Sequence, residues 1–243
     1  MNIGSLDINE TKKKIFLAAK NEFASKSFKG ARMSSIASSA GVNQALIHYH
    51  FASKENLYLQ IFKKTIIDVF EEYSKKFKNE LDSWNVSADI KLCTAIYVLI
   101  FSEQFIHDMG MYRMIAYEFA EEDGIVHKFL KKLIIQQSSS INEIISEGIY
   151  SGVFEVSNST LFSINLLSSI KNLVHEVEPG QETIANEDIY KERNDIFYDF
   201  LIEFSFKALR PAGKNLKIPV LDENRKSRLK TIFKEISNEM EIF

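Results

Sequence analysis

For its first 178 residues the chain contains no proline, and only three occur among all 243. A backbone so seldom interrupted is poorly suited to sandwiches and barrels, which need a turn every few residues, and well suited to long helices joined by short breaks. The nine glycines fall at intervals that suit such breaks. From Thr11 to Lys26, Ile15, Ala18, Ala19 and Phe23 recur with the period of an amphipathic helix, and Gly30 closes the segment. A short helix is predicted over Met33–Ala40, burying Met33, Ile36 and Ala37 and stopped by Gly41, a residue that tolerates left-handed geometry. Asn43 is a good N-cap for a third short helix through His50, and Ser53 for a fourth, longer one with Leu57, Ile61, Phe62, Thr65 and Val69 on one face.

The rest of the chain also reads as helix, in segments near 87–107, 111–121, 125–149, 158–177, 186–209 and 222–241. The breaks fall at Gly110, Gly124, Gly148/Gly152, Pro179-Gly180 and Pro211/Pro219. The loop 178–187 is polar and acidic and is expected to be mobile. The fold class is therefore all-α. The expected boundary divides a head, residues 1–55, from a larger helical domain, residues 56–243.

The single cysteine, Cys93, excludes an internal disulfide framework and a Cys-based zinc site. It lies in the apolar run Leu92–Phe101, which favours a small core residue. That run is too short for the roughly 20 apolar residues of a membrane span, and Asp7, Glu10 and Lys12 to Lys14 interrupt any secretory h-region. A soluble chain in the cytoplasm, with no membrane partner, is the expectation.

The formal net charge of −3 argues against a nucleic-acid partner until it is divided. Residues 1–55 hold eight basic and four acidic side chains, a net of +4, whereas the remaining 22 basic residues face 29 acidic ones, a net of −7. The positive part is also the part with two short helices around a glycine turn, braced by a longer helix. That is the outline of a helix-turn-helix, whose second short helix enters the major groove of DNA.

Here the sequence resembles a known family. Phe28-Lys29-Gly30-Ala31-Arg32-Met33-Ser34-Ser35-Ile36-Ala37, then Ala40-Gly41-Val42-Asn43-Gln44-Ala45-Leu46-Ile47-His48-Tyr49-His50-Phe51, then Ser53-Lys54-Glu55-Asn56-Leu57, is similar to the DNA-binding region of TetR-family transcriptional regulators over residues 11–60. Beyond that region the resemblance is one of length and helical character. It implies a three-helix head and a larger antiparallel helical domain that senses a ligand and dimerises.

The residues of the head make chemical sense in that role. Gln44 opens the recognition helix, where its amide can pair bidentately with adenine, and Ala45 is small enough to admit the helix to the groove. His48 lies one turn further on the same face; the family more often has tyrosine there, and both a base edge and a phosphate stay open as its contact. Tyr49 and His50 carry polar tips suited to phosphate. Lys54 stands in the first turn of the fourth helix, where an anion is already favoured. Arg32, Ser34 and Ser35 open the second helix beside the flanking backbone, and Asn43 completes the candidate DNA-binding set. Ile36, Ala37, Val42, Leu46, Ile47 and Phe51 form the expected small core. The run Lys12–Lys14 reads as a solvated face that attracts DNA without specifying sequence.

In the family, the last two helices of the common core pair with their twins. Leu166, Ile170, Leu173 and Val174 on one segment, and Ile189, Ile196, Phe197, Phe200 and Phe204 on the next, supply apolar stripes for such a homodimer; the plainer reading turns them into the domain's own core. A twofold dimer implies a palindromic duplex operator. A pocket for an apolar or aromatic effector is expected along Phe101, Phe105, Met109, Tyr112 and Tyr117, with Phe162 further on, although aromatic residues at helical spacing are commonly plain core. Gln104, His107, Arg113 and Asn165 are its candidate polar anchors.

No catalytic motif is present: there is no G-x-S-x-G, P-loop or G-x-G-x-x-G. Glu118, Asp123 and His127 are too thin a ligand set for a metal site and read better as a solvated helix end. The expectation is a non-enzymatic, cofactor-free repressor released from its operator by ligand. The alternative is a helical lipid or small-molecule carrier, or a scaffold, without DNA binding.

Overall fold

The computed structural model describes the backbone of residues 3–105, 109–121, 123–176, 187–209 and 218–239, and side chains within 10–102, 110–121, 123–172, 195–209 and 218–236. Among the described residues there are helices and no strand. They are α1 (Ile3–Gly30), α2 (Met33–Ala40), α3 (Gln44–Phe51), α4 (Lys54–Phe62), α5 (Asp68–Trp84), α6 (Ala88–Phe105), α7 (Met109–Ala120), α8 (His127–Tyr150), α9 (Ser159–Glu176), α10 (Glu187–Ala208) and α11 (Glu223–Glu239), with a π-helical turn at Lys63–Ile67 between α4 and α5. The all-α expectation stands. The loop expected at 178–187 falls almost wholly outside the described residues.

The chain forms two compact units. One comprises Met1–Glu72, Ile106–Lys131 and Ile236–Phe243, the other Tyr73–Phe105 and Lys132–Glu235. Residue 55, where the head was expected to end, lies within α4 and inside the first unit.

In the first unit α1 packs on α2, α4 and α7, and α2, α3 and α4 pack in succession. Ile15, Phe16, Ala19 and Phe23 from α1 meet Ile36, Ala37, Ile47 and Phe51 from α2 and α3, all buried. Val42 and Leu46, expected in this core, are only half-buried, because the two-helix unit is too small to cover them. α1 leaves helical geometry at Ser27, whose φ is 58°, and its last turn then sets Phe28 against Phe23 and Tyr58, with ring centroids 6.1 and 5.1 Å apart.

In the second unit α6 packs on α9 and α10. Leu92, Cys93, Ile96, Tyr97 and Ile100 are buried on α6, against Leu166, Leu167 and Ile170 on α9 and Tyr198, Leu201, Ile202 and Phe206 on α10. Burial pushes the Cys93 thiol up to about 12, and its sulfur lies 3.7 Å from the Pro219 carbonyl, so it is an inert core group. α11 is strongly charged, yet it buries Leu229, Ile232 and Phe233. The ring of Phe233 meets Tyr73, Phe77 and Phe101 at 5.1, 4.9 and 5.6 Å.

Two glycines are demanded by the backbone for different reasons. Gly41 has a φ of 65° and open space where a Cβ would go, so the cost of alanine there is conformational alone, about 1 kcal/mol. Gly148, inside α8, faces the ring of Phe154 so closely that a Cβ would overlap it. In urea denaturation, Gly41→Ala is expected to lower stability by about 1 kcal/mol. Gly148→Ala is expected to cost more, about 1–3 kcal/mol from overpacking, although alanine is the better helix former.

Candidate DNA-binding site

The recognition helix is set by three consecutive caps. α2 ends in a Schellman arrangement: the Val42 N–H donates to the Ala37 carbonyl at 3.0 Å and the Gly41 N–H to that of Ser38 at 3.2 Å. Asn43 stays extended, and its side-chain oxygen accepts the Ala45 N–H at 2.9 Å, which starts α3. Ser53 repeats the device for α4, accepting the Asn56 N–H at 3.1 Å. Each such cap is worth about 1 kcal/mol, and together they fix where α3 begins and ends.

Between α3 and α4 stands an unusual residue. Ala52 has φ 61° and ψ −53°, and the Ser53 N–H donates across it to the Phe51 carbonyl at 2.7 Å. This is a γ-turn of the rare, strained kind, which costs about 1–3 kcal/mol. The Asn56 side-chain amide donates to the same Phe51 carbonyl at 2.9 Å and braces the turn. The turn brings the Ala52 carbonyl to 3.1 Å from His48 Nδ1.

With Ile47 and Phe51 buried, the opposite face of α3 is open. Gln44, Ala45 and His48 are exposed, and Tyr49 is 80% exposed. Gln44 Nε2 lies 3.5 Å from His48 Nε2. Asn43, Arg32 and Ser34 are exposed, while Ser35, His50 and Lys54 are half-buried. The structure therefore brings Gln44, Ala45, His48 and Tyr49 to one surface of one helix. Burial and the nearby Lys12 ammonium hold the His50 imidazole below its usual range, so it is neutral at pH 7.

Two of the basic residues are held in place. The Lys54 ammonium stands 4.7 Å from the centroid of the Phe28 ring, a cation–π contact that fixes the charge at the start of α4. Nothing in the spacing of the sequence revealed this use of Phe28, which depends on the break at Ser27. The Arg32 backbone N–H donates to Glu22 Oε1 at 3.2 Å, and Lys26 Nζ reaches the same oxygen at 3.0 Å. Burial would raise the Glu22 carboxyl, but Lys26, Arg32 and Ser35 outweigh it and hold it below the usual range. Lys12, Lys13 and Lys14 are exposed, and Lys14 pairs with Glu10 at 2.9 Å.

Behind the head, Glu118 is buried in α7 and is structural. Its carboxylate accepts the Tyr58 hydroxyl at 2.8 Å and the Val126 N–H at 2.9 Å, and its carbonyl accepts His127 Nδ1–H at 2.7 Å. Burial and the carboxylate drive the Tyr58 hydroxyl far above its ordinary range. Glu118 and His127 thus form a buried corner rather than the solvated helix end expected for them, while Asp123 is exposed. No group of three metal-ligating side chains is present among the described residues.

The expected effector residues are described only in part. Tyr112, Arg113 and Asn165 are exposed, and the Asn165 amide turns back to the Leu161 carbonyl of its own helix at 3.3 Å. Tyr117 and Phe162 are half-buried on α7 and α9. Phe101 enters an aromatic cluster, stacked on Tyr97 with centroids 4.4 Å apart. Gln104, Phe105, His107 and Met109 lie outside the described side chains.

Of the expected dimer residues, Leu166 and Ile170 are 2% and 0% exposed. They have no surface left for a partner, because the stripe they form is the one α9 turns to its own core. Ile196, Phe200 and Phe204 are instead 48%, 56% and 52% exposed, with Phe197 half-buried; Leu173, Val174 and Ile189 lie outside the described side chains. Leu161 and Ile164 are exposed on the other face of α9, so that helix is apolar on two faces.

Residues 15–61 match the family model of bacterial regulatory proteins, tetR family. Over those residues the head is similar to TetR-family DNA-binding domains, and several solved structures share the fold of the chain. A TetR-family regulatory protein from Rhodococcus RHA1 is similar in structure, with a TM-score of 0.61 at 14% identity over 83% of this chain and 98% of that one. A putative transcriptional regulator from Saccharomonospora viridis, solved with choline, gives 0.57 at 19% identity over 81% and 95%. The regulator FadR from Bacillus subtilis, solved with stearoyl-CoA, gives 0.55 at 17% identity over 82% and 99%. No curated protein matches the chain in sequence. No described helix is long and apolar enough to cross a membrane.

Removal of the Tyr58 hydroxyl leaves Glu118 Oε1 buried without that donor. Tyr58→Phe is expected to lower stability by about 1–3 kcal/mol, read as a shift of the urea midpoint with unchanged helical circular dichroism.

Proposed function

We propose that the protein is a homodimeric transcriptional repressor that reads a palindromic operator through α3 and leaves it when a small apolar or aromatic molecule binds its helical domain. The observation that carries this reading is the exposed Gln44, Ala45, His48 and Tyr49 face on a helix capped at both ends. Gln44 and Ala45 at the start of α3 take the base edges; Tyr49, Arg32, Ser34 and Lys54 take the phosphates on either side.

Dimerisation is supported by the exposed rows on two helices that pack together, Leu161 and Ile164 on α9 and Ile196, Phe200 and Phe204 on α10. Neighbouring large apolar residues left this open mark an interaction surface, and antiparallel pairing with a second copy covers both rows. A twofold dimer then presents two α3 helices to successive major grooves, one helical turn apart. A small-molecule effector is in keeping with the similar folds solved with choline and stearoyl-CoA. The ligand acts by favouring a dimer whose two heads no longer match the groove spacing.

The reading is tested by gel shift of the purified protein on DNA flanking its own gene, where a sequence-specific shift at moderate salt is expected and its absence would overturn the proposal. Lys54→Ala should weaken binding to all sequences alike and reduce the salt slope by about 1. Gln44→Ala should mainly relax preference at one base pair. In sedimentation experiments, the double variant Phe200→Glu, Phe204→Glu is expected to run as a folded monomer. Its operator affinity should fall by about a hundredfold, because two linked heads bind far more tightly than one.

A further inference from the structure

We propose that His48 is a positioning residue for base recognition: the strained turn at Ala52 fixes its tautomer, and the ring in turn orients the Gln44 carboxamide to read adenine and reject guanine. This rests on the reading of α3 as the recognition helix and adds which base it selects and by what device.

The Ala52 carbonyl, 3.1 Å from His48 Nδ1, has lone pairs and no proton, so a hydrogen bond between them requires the proton on Nδ1. A neutral imidazole has one N–H, so Nε2 is left with a lone pair. That lone pair faces the Gln44 amide nitrogen at 3.5 Å, and one amide N–H points at it. The opposite placement of the amide sets its oxygen against the Nε2 lone pair, two acceptors facing one another, and is repelled. Gln44 is thereby left with its carbonyl oxygen and its second N–H for the groove.

Adenine presents an N6 amino donor beside the N7 acceptor, which that pair satisfies at once. Guanine presents two acceptors, N7 and O6, so the Gln44 oxygen would meet O6 unfavourably. A glutamine free to turn would serve either purine; one tied to His48 serves adenine. Ala52 is what makes the tie firm. With its φ of 61° the Ala52 carbonyl lies against the helix that it terminates, and strained backbone of this kind clusters at functional sites.

The test uses full-length protein at pH 8 and selection from randomised duplexes. Gln44→Ala first identifies the base position that Gln44 reads. At that position His48→Phe, which keeps a flat ring without nitrogens, is expected to lower the adenine-over-guanine preference about tenfold, with preferences elsewhere retained. His48→Gln, which returns an acceptor near the place of Nε2, should restore part of it. Nitrogen chemical shifts of the His48 ring in the free wild-type protein should show the proton on Nδ1, and this measurement needs no variant to fold.

A ring protonated on Nε2 overturns the inference. So does a His48→Phe protein that keeps its preference at a position where Gln44→Ala loses it, and in that case the DNA reading survives alone. Wild-type protein without any sequence preference overturns both.

Discussion

Tyr58 is the side chain on which the geometry of the reading head depends. Its ring packs edge-on against Phe23, tilted against Phe28 and tilted against Phe62, with centroids 4.9, 5.1 and 5.1 Å apart. Its hydroxyl reaches the buried carboxylate of Glu118. A phenol in this position needs a partner, because a buried hydroxyl without one is costly, and a buried carboxylate needs donors even more. Each therefore specifies the other. The result joins α1, α4 and α7 around one aromatic centre, and Lys54 stands on its outer member, Phe28. The charge at the start of α4 is thus positioned by packing on that ring.

Much of the head was legible because its signals are local. Gly41, Asn43 and Ser53 act within a few residues of themselves, and their turn and cap roles follow from backbone chemistry alone. The charge division at residue 55 needed only counting, and the family resemblance rested on spacing that the folded head preserves. What was not legible depended on residues distant in sequence. The bond from Tyr58 to Glu118 spans 60 positions, and Glu118 with His127 looked from the sequence like a solvated helix end. Likewise Ala52, an unremarkable residue type, gains its meaning from dihedral angles that no propensity predicts.

The larger domain shows why periodicity alone does not tell an internal face from an exposed one. Leu166 and Ile170 form the more regular stripe of α9, and regularity is what an internal face produces. Leu161 and Ile164 form the less regular one and remain exposed. A helix apolar on two faces turns one of them to the core and leaves the other open, and only the fold tells which. The aromatic stretch after Phe101 illustrates the same point: Met111 and Met114 are buried, Tyr112 and Phe119 exposed, so a continuous run in sequence divides between interior and surface.

The π-helical turn at Lys63–Ile67 has a bearing on how such a chain tolerates change. Tyr58, Phe62, Ile66 and Val69 are all buried, and their spacing of four, four and three residues is that of one face of a regular helix. A π-helical turn takes one more residue than an α-helical one, so it shifts the phase of whatever follows by about 100°. Length changes between the two helices are constrained by angle as well as by distance, and a one-residue deletion here would rotate the apolar face of α5 away from its neighbours while shortening the chain hardly at all.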